Sequence, residues 1–306
     1  MGTSEFAVPT LESFVNSPYH LLAAYTRPDK PAGRGRQITS SAVKRAAMEH
    51  DIPVIQPPTL KSREVLNELA NFKPDLIIVA ALGYILSPEV LSLPRFGCLN
   101  VHPSLLPRHR GPSPVVNALL CGDRVTGVTV ALMGTGVDSG PILAQRELGI
   151  SPTDTTGTIT PKLAHAGAEL LLGILPQWLA GGLKLQPQDE NQATYSRLIG
   201  KEDGEIDWDI SAVEIWRQVR AYDPWPGSYT WWKGKRLKIH EVSPSNDVAR
   251  GRGGIVLALP GPLFKVGVMT WRGILELNQV QLEGKSKMGM DDFVRGHRDF
   301  IGSILG

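Results

Sequence analysis

Residues 97–143 constrain the fold of this chain more than any other stretch. They read GCLNVHPSLLPRHRGPSPVVNALLCGDRVTGVTVALMGTGVDSGPIL. An apolar run ends in Asn100-Val101-His102, and alternation along a strand puts Asn100 and His102 on one face. Residues 103–114 hold four prolines, too many for helix or strand, and predict an irregular loop. Residues 127–133 and 142–148 read as two more strands, pairing as an antiparallel hairpin. Between them a Gly-rich turn carries one acid, Asp138, just ahead of Gly140. In an open α/β sheet, ligands bind outside the carboxyl ends of the strands. An amide, an imidazole and a carboxylate gathered there suit acyl transfer: Asn100 as oxyanion donor, His102 as proton handler, Asp138 as the group that tunes it. The bland reading is a hydrogen-bonded structural His and a turn-forming Asp, and the residues alone leave both open. No Ser lies in a nucleophile elbow, and Cys98 and Cys121 lack metal-type spacing, so no covalent nucleophile is visible.

The chain ahead of this stretch alternates helix and strand. Helices are predicted at 6–15, 40–49 (with Ser40 or Ser41 as N-cap) and 62–72, with a helical turn at 88–91. Strands are predicted at 20–25, 53–55, 75–81 and 97–101. Residues 27–37, RPDKPAGRGRQ, read as a loop. That alternation means a parallel sheet with right-handed crossovers. No G-x-G-x-x-G follows any strand, so a dinucleotide is not expected. A helix at 114–121 and a long one at 158–180 follow, the latter stopped by Gly181-Gly182. Residues 182–203 read as a linker.

Past residue 203 the pattern changes. One helix is predicted at 211–222. Short β-type runs then recur at 228–232, 235–242, 254–259, 264–270 and 274–282, and a short helix closes at 290–296. Such spacing indicates a small barrel or sandwich; a five-stranded barrel of this size is compatible with an OB-fold, a common nucleic-acid platform, and the bland alternative is a structural appendage. Charge within this half is uneven: residues 201–232 carry a net of −4, residues 233–298 a net of +6. Lys233, Lys235, Arg236 and Lys238 fall within six residues. On a strand, Lys233 and Lys235 would share one face, Arg236 and Lys238 the other. A charge run is usually a solvated face; a one-sided basic barrel is more suggestive, because phosphate contacts carry sequence-independent affinity.

Composition excludes several classes. The whole chain is nearly neutral, +2 over 306 residues, so bulk charge does not advertise nucleic acid. Two cysteines give no disulfide framework, and seven scattered histidines give no pair at metal-ligand spacing. No run approaches the roughly 18 apolar residues of a membrane span. The expectation is a cytoplasmic monomer that uses no metal and no membrane.

Asn100-x-His102-x-Ser104-Leu-Leu-Pro107, Arg110-Gly111, Gly127-Val-Thr129, Met133 and Asp138-x-Gly140 together resemble the signature of the folate-dependent formyltransferases. Further motifs resemble the methionyl-tRNA branch of that superfamily. They are the loop Pro31-Ala-Gly-Arg-Gly-Arg36, Val54-Ile-Gln56-Pro57, Thr194-Tyr195, Lys201-Glu202, Ile206-Asp207-Trp208, Arg220-Ala-Tyr-Asp-Pro224-Trp225-Pro226-Gly227, Gly284-Lys285 and Met288. The resemblance covers essentially the whole chain. The first-domain signature is common to the superfamily; the basic loop together with a full second domain is more specific.

The resemblance implies a Rossmann-like catalytic domain over 1–181, a linker over 182–203 and an OB-like tRNA-binding domain over 204–306. It implies that Asn100, His102 and Asp138 are catalytic. The formyl donor would be 10-formyltetrahydrofolate, its pterin in a slot edged by Leu82, Gly83, Tyr84, Ile85 and Leu86, with Ser104, Leu105, Leu106 and Pro107 beside it. Initiator methionyl-tRNA would be the acceptor, contacted by Arg34, Gly35, Arg36, Lys233, Lys235, Arg236 and Lys238. The alternatives are a formyltransferase acting on a sugar-nucleotide amine and a non-catalytic folate- or tRNA-binding relative; retention of Asn100, His102 and Asp138 argues against the second.

The start of the chain departs from that pattern. Relatives place an apolar strand before the glycine equivalent to Gly2, and here it is missing. In a sheet of order 3-2-1-4-5 the first strand lies in the middle. The strands at 20–25 and at 75–81 or 97–101 would then lack a shared neighbour. The expectation is a natural start upstream of Met1, displaced here by a misplaced start codon. The 306-residue chain would express poorly or aggregate through its open sheet.

Overall fold

A computed structural model describes residues 1–32, 37–245, 252–260 and 265–306. The chain forms two units. The first gathers residues 1–115, 124–150 and 158–197; the second gathers 116–123, 151–157 and 198–306.

In the first unit the helices start where the sequence supplies a cap. A short 3-10 turn leads into α1 (Val8–Val15), with Pro9 in its first turn, where a missing N–H costs nothing. Strand β1 (Ala24–Tyr25) is followed by a hairpin of β2 (Lys30–Ala32) and β3 (Gln37–Thr39). The segment expected as plain loop therefore holds two short antiparallel strands. Helix α2 (Ala42–Glu49) begins at Ser41, whose hydroxyl accepts from Lys44 N at 3.0 Å. Strand β4 (Val54–Ile55) precedes α3 (Arg63–Asn71), capped by Ser62. Strand β5 (Ile77–Val79) leads to α4 (Pro88–Ser92), capped by Ser87. Then come β6 (Cys98–His102), β7 (Val125–Leu132), β8 (Ile142–Gly149) and α6 (Thr156–Leu179), while α5 (Pro114–Cys121), between β6 and β7 in the chain, falls mostly in the second unit.

The strands split into separate sheets. β1 pairs only with β4, in parallel. β5, β6, β7 and β8 form a second sheet in that order, parallel from β5 to β6 and antiparallel beyond. Gly167 lets α6 lie close on this sheet: a Cβ there would meet Val101 at 2.6 Å and Val128 at 3.0 Å. Leu99, Val128, Val130, Ile159, Leu163 and Leu171 are fully buried in the resulting core.

The strands at 20–25 and 75–81 are both shorter than the sequence predicts, and they have no shared full-length neighbour. Among the described residues Met1 and Gly2 bridge them: Gly2 N donates to Tyr25 O and Ala80 N to Met1 O. Beyond that rung lies a cavity of about 490 Å³, lined by Leu22 to Tyr25 on one side and Asp75 to Ile78 on the other. Residues 20–23 find no ladder partner there, which is why β1 has two residues.

The stretch expected as a linker is not free. Through Arg197 it belongs to the first unit: Gln186 pairs with Ile142, and Tyr195 with Arg110.

In the second unit, α7 (Ala212–Ala221) starts in a capping box between Ser211 and Glu214. Its sheet contains β9 (Ser228–Trp232), β10 (Lys235–Pro244), β11 (Val256–Leu259), β12 (Lys265–Met269), β13 (Ile274–Leu282) and β14 (Met288–Gly289), ahead of α8 (Met290–Gly296). The order is β11-β12-β13-β10-β9, all antiparallel, with β14 on β13. The final residues bridge the open seam: Leu305 N donates to Gly254 O, and Gly306 N to Trp231 O. Inward Leu237, Ile239, Val266, Leu275, Phe293 and Phe300 fill the barrel. No helix among the described residues is long and apolar enough to cross a membrane.

Candidate active site

β6 is an interior strand, paired on both edges. Val79 faces Asn100 from β5, while Ala131 and Thr129 of β7 face Asn100 and His102. Double pairing fixes the backbone that carries both polar side chains. Asp138 comes from the turn between β7 and β8, where Leu132 N donates to Pro141 O. That turn is tight: a Cβ on Gly140 would run into the Leu132 carbonyl. Asp138 itself adopts φ +49°, the left-handed region that non-glycine residues seldom occupy.

The three side chains meet. The Asn100 amide donates to Asp138 Oδ1 at 3.0 Å. Gly111 N–H donates to Asp138 Oδ2 at 2.8 Å, and His102 Nδ1 stands 3.7 Å from the same oxygen. On the far side of the ring, His102 Nε2 lies 3.1 Å from the His109 carbonyl. A carbonyl can only accept, so Nε2 carries the hydrogen and Nδ1 faces the carboxylate. The second Asn100 N–H has no partner among the described residues. His102 is buried (5% exposed), whereas Asp138 keeps 17% of its side chain in solvent. The arrangement offers a free amide donor and an imidazole nitrogen beside a carboxylate: the parts needed to hold a developing oxyanion and to pass a proton.

The expected folate residues divide into two kinds. Leu82 and Leu86 turn into the core, so at those positions only the main chain is left to meet a ligand. Gly83 has φ +73° and its carbonyl accepts from the Arg27 guanidinium, which also lies over the Tyr84 ring. The Tyr84 hydroxyl donates to the Pro57 and Pro58 carbonyls at 3.1 and 3.2 Å, while Ile85 is 74% exposed. Ser104 and Leu106 are buried and bonded within the protein: Ser104 Oγ donates to Arg108 O in the same loop, and Leu106 N to Thr129 Oγ1 on β7. Leu105 packs beside Gly127, and the Pro107 carbonyl accepts from Thr194 N at 3.3 Å.

Among the expected tRNA contacts, Arg34, Gly35 and Arg36 lie outside the described residues. Lys233 and Gly234 form the β9–β10 turn, both at positive φ (50° and 70°), as a two-residue type I′ hairpin turn needs. The sharing of one face by Lys233 and Lys235 therefore does not hold. Lys233 is a turn residue paired with Asp299, and the odd positions Leu237 and Ile239 point into the core. Arg236 and Lys238 do share the outer face, with the Arg236 guanidinium 4.1 Å over Tyr229 and 5.3 Å from Trp231.

Sequence reasoning missed His109, whose carbonyl sets the His102 ring, and the Gly111 amide on Asp138, although both lie inside the motif. It also missed Gln188 and the role of Arg110, whose guanidinium binds the Gln188 Oε1. Among the described residues no three His, Cys, Asp or Glu side chains converge as metal donors.

Comparison with known proteins agrees with both halves. Residues 2–175 match the formyl transferase family and residues 198–298 its C-terminal domain. The chain is 42% identical to a methionyl-tRNA formyltransferase of Chloroflexus aurantiacus, over 98% of this chain and 97% of that protein. A solved sugar 3N-formyl transferase, WlaRD, shares the fold at TM-score 0.66 and 17% identity, over 93% of this chain and 97% of that one. HypX from Aquifex aeolicus shares it at TM-score 0.58 and 22% identity; there 83% of this chain spans 46% of that longer protein. The chain belongs to the formyl transferase family, with the two-domain build of its methionyl-tRNA formyltransferases.

Proposed function

We propose that this enzyme transfers a formyl group from 10-formyltetrahydrofolate to the α-amine of methionyl initiator tRNA, in support of translation initiation. One observation carries the reading. Asn100, His102 and Asp138 converge in a chain 42% identical, end to end, to a methionyl-tRNA formyltransferase.

The neutral amine of the methionyl group attacks the formyl carbon. A C–N bond forms and the formyl oxygen becomes an oxyanion. The unspent Asn100 N–H and a proton on His102 Nδ1 stabilise it, in a site whose donors are already aimed. The Asp138 carboxylate lies 3.7 Å from that nitrogen. Collapse breaks the bond to the folate nitrogen, and that nitrogen takes the proton given up by the amine. His102 relays this proton. The pterin lies along the 82–86 loop, where main-chain groups between apolar side chains suit a flat polar heterocycle. Lys235, Arg236 and Lys238 neutralise tRNA phosphates, together with Lys233, Arg34, Gly35 and Arg36.

The test is formylation of charged initiator tRNA, with sugar-nucleotide amines as competing acceptors. His102→Ala and Asn100→Ala are expected to lower kcat about 100- to 1,000-fold while folate binding survives. Near-normal single-turnover rates in His102→Ala would overturn the catalytic assignment. Faster formylation of a sugar amine than of methionyl-tRNA would overturn the substrate.

A further inference from the structure

We propose that Gln188, oriented by Arg110, is a positioning residue that holds Asp138 in the conformation from which its carboxylate faces His102. The proposal rests on the reading of Asp138 as part of the reaction centre.

The need for a clamp is visible in the backbone. Asp138 sits at φ +49° in a turn that Gly140 makes very tight. A left-handed non-glycine residue persists only where its surroundings over-determine it. Gln188 supplies that determination. Its Nε2 donates to Asp138 O at 2.8 Å and to Gly140 O at 2.6 Å, so both amide hydrogens bind the turn.

The Gln188 amide cannot be the other way round. Its Oε1 accepts from Arg110 Nε at 3.0 Å and Nη2 at 2.8 Å. A flipped amide would set an NH₂ against a guanidinium and an oxygen against two carbonyls. Arg110 is fixed in turn. It is fully buried, and its remaining donors bind Glu190 Oε2 and Oε1 at 2.8 and 2.7 Å and the Tyr195 hydroxyl at 3.0 Å. All five guanidinium hydrogens are thereby used, the full capacity of the group. The main chain of Arg110 is pinned as well, between Thr194 O and Ser196 N.

The adjoining residue closes the clamp. Gly111 N–H binds the Asp138 carboxylate, while Arg110 holds the Asp138 main chain through Gln188. One dipeptide thus grips the catalytic acid at both ends, and the polar chain Glu190–Arg110–Gln188–Asp138 runs from the surface to the reaction centre. Without Gln188 the turn keeps the carboxylate's own bonds but loses the two that set its backbone.

The experiment compares Gln188→Met, Asp138→Ala and the double variant, with thermal melting as the check on folding. Met keeps the volume of Gln and removes all four of its hydrogen bonds. In Gln188→Met, kcat is expected to fall about 10- to 100-fold, as for displaced supports of other sites. KM for both substrates is expected to stay within about twofold, since transition-state alignment rather than uniform binding is lost. The double variant is expected to be no slower than Asp138→Ala, because Gln188 acts only through Asp138. Gln188→Glu, which still accepts from Arg110 but cannot donate to two carbonyls, is expected to resemble Gln188→Met; it carries the test if the Met variant does not fold. Wild-type kcat in a folded Gln188 variant, or losses that add in the double variant, would overturn the proposal. Full activity in Asp138→Ala would instead overturn the reading of Asp138 and is seen separately.

Discussion

The two flanks of β5 and β6 are built on opposite plans. At the end of β6, the polar groups that shape the site have partners, one N–H of Asn100 apart. Asp138 takes three donors or near-donors, the Arg110 guanidinium spends all five hydrogens, and even the Gln188 amide is locked. At the outer edge of β5, strands face a cavity of about 490 Å³ with one rung of pairing across it, made by Met1 and Gly2. The contrast shows how local the ordering of a protein is. Satisfied networks rigidify what they touch, and strands only two or three residues long survive beside a void because β4 and β6 hold their other edges.

The largest way to break the comparison is truncation. Leu163 is fully buried in the core under α6, whereas Leu22 borders the cavity and is partly exposed. Leu163→Ala is expected to cost about 2–5 kcal/mol and Leu22→Ala less than about 1 kcal/mol, because little further packing is lost beside an existing void. Urea unfolding of the two variants measures this. Equal losses would mean that the cavity is closed in solution.

The smallest effect concerns Glu190. Its bonds from Arg110 hold its carboxyl below the usual carboxylate range. The stability it lends is present above about pH 4.3, the unfolded value, and is lost as pH falls through the folded one. Glu190→Gln is expected to melt slightly lower than the wild type at neutral pH and to converge with it in acid. A constant difference at all pH values would remove the charge from the explanation.

Much of this was legible in the chain itself. Alternation placed Asn100 and His102 on one face because a strand has a period of two. Ser40 or Ser41 marked a helix start because a short hydroxyl satisfies the first free N–H groups, and Ser41 is the cap; Ser62, Ser87 and Ser211 cap their helices by the same chemistry. Gly140 and Asp138 marked a turn. The barrel followed from short β-type runs punctuated by Gly and Pro. These are local matters, and local sequence determines them. The shift of Lys233 into a turn was open to the same logic, since Lys233-Gly234 separates two strands by two residues.

What tertiary structure alone decided is long-range. Gln188 lies 50 residues from Asp138 in a stretch with no period and little apolar content, yet its amide sets the Asp138 backbone. Arg110 stands in the sequence as part of the Arg110-Gly111 motif with no role attached, and only folding buries it among Gln188, Glu190 and Tyr195. The hydrogen on His102 Nε2 depends on a carbonyl seven residues away that a left-handed His109, φ +56°, turns toward it. No pattern announces such contacts. A hydrogen bond between distant segments depends on where the packed core brings their backbones, and that is set by the whole chain at once.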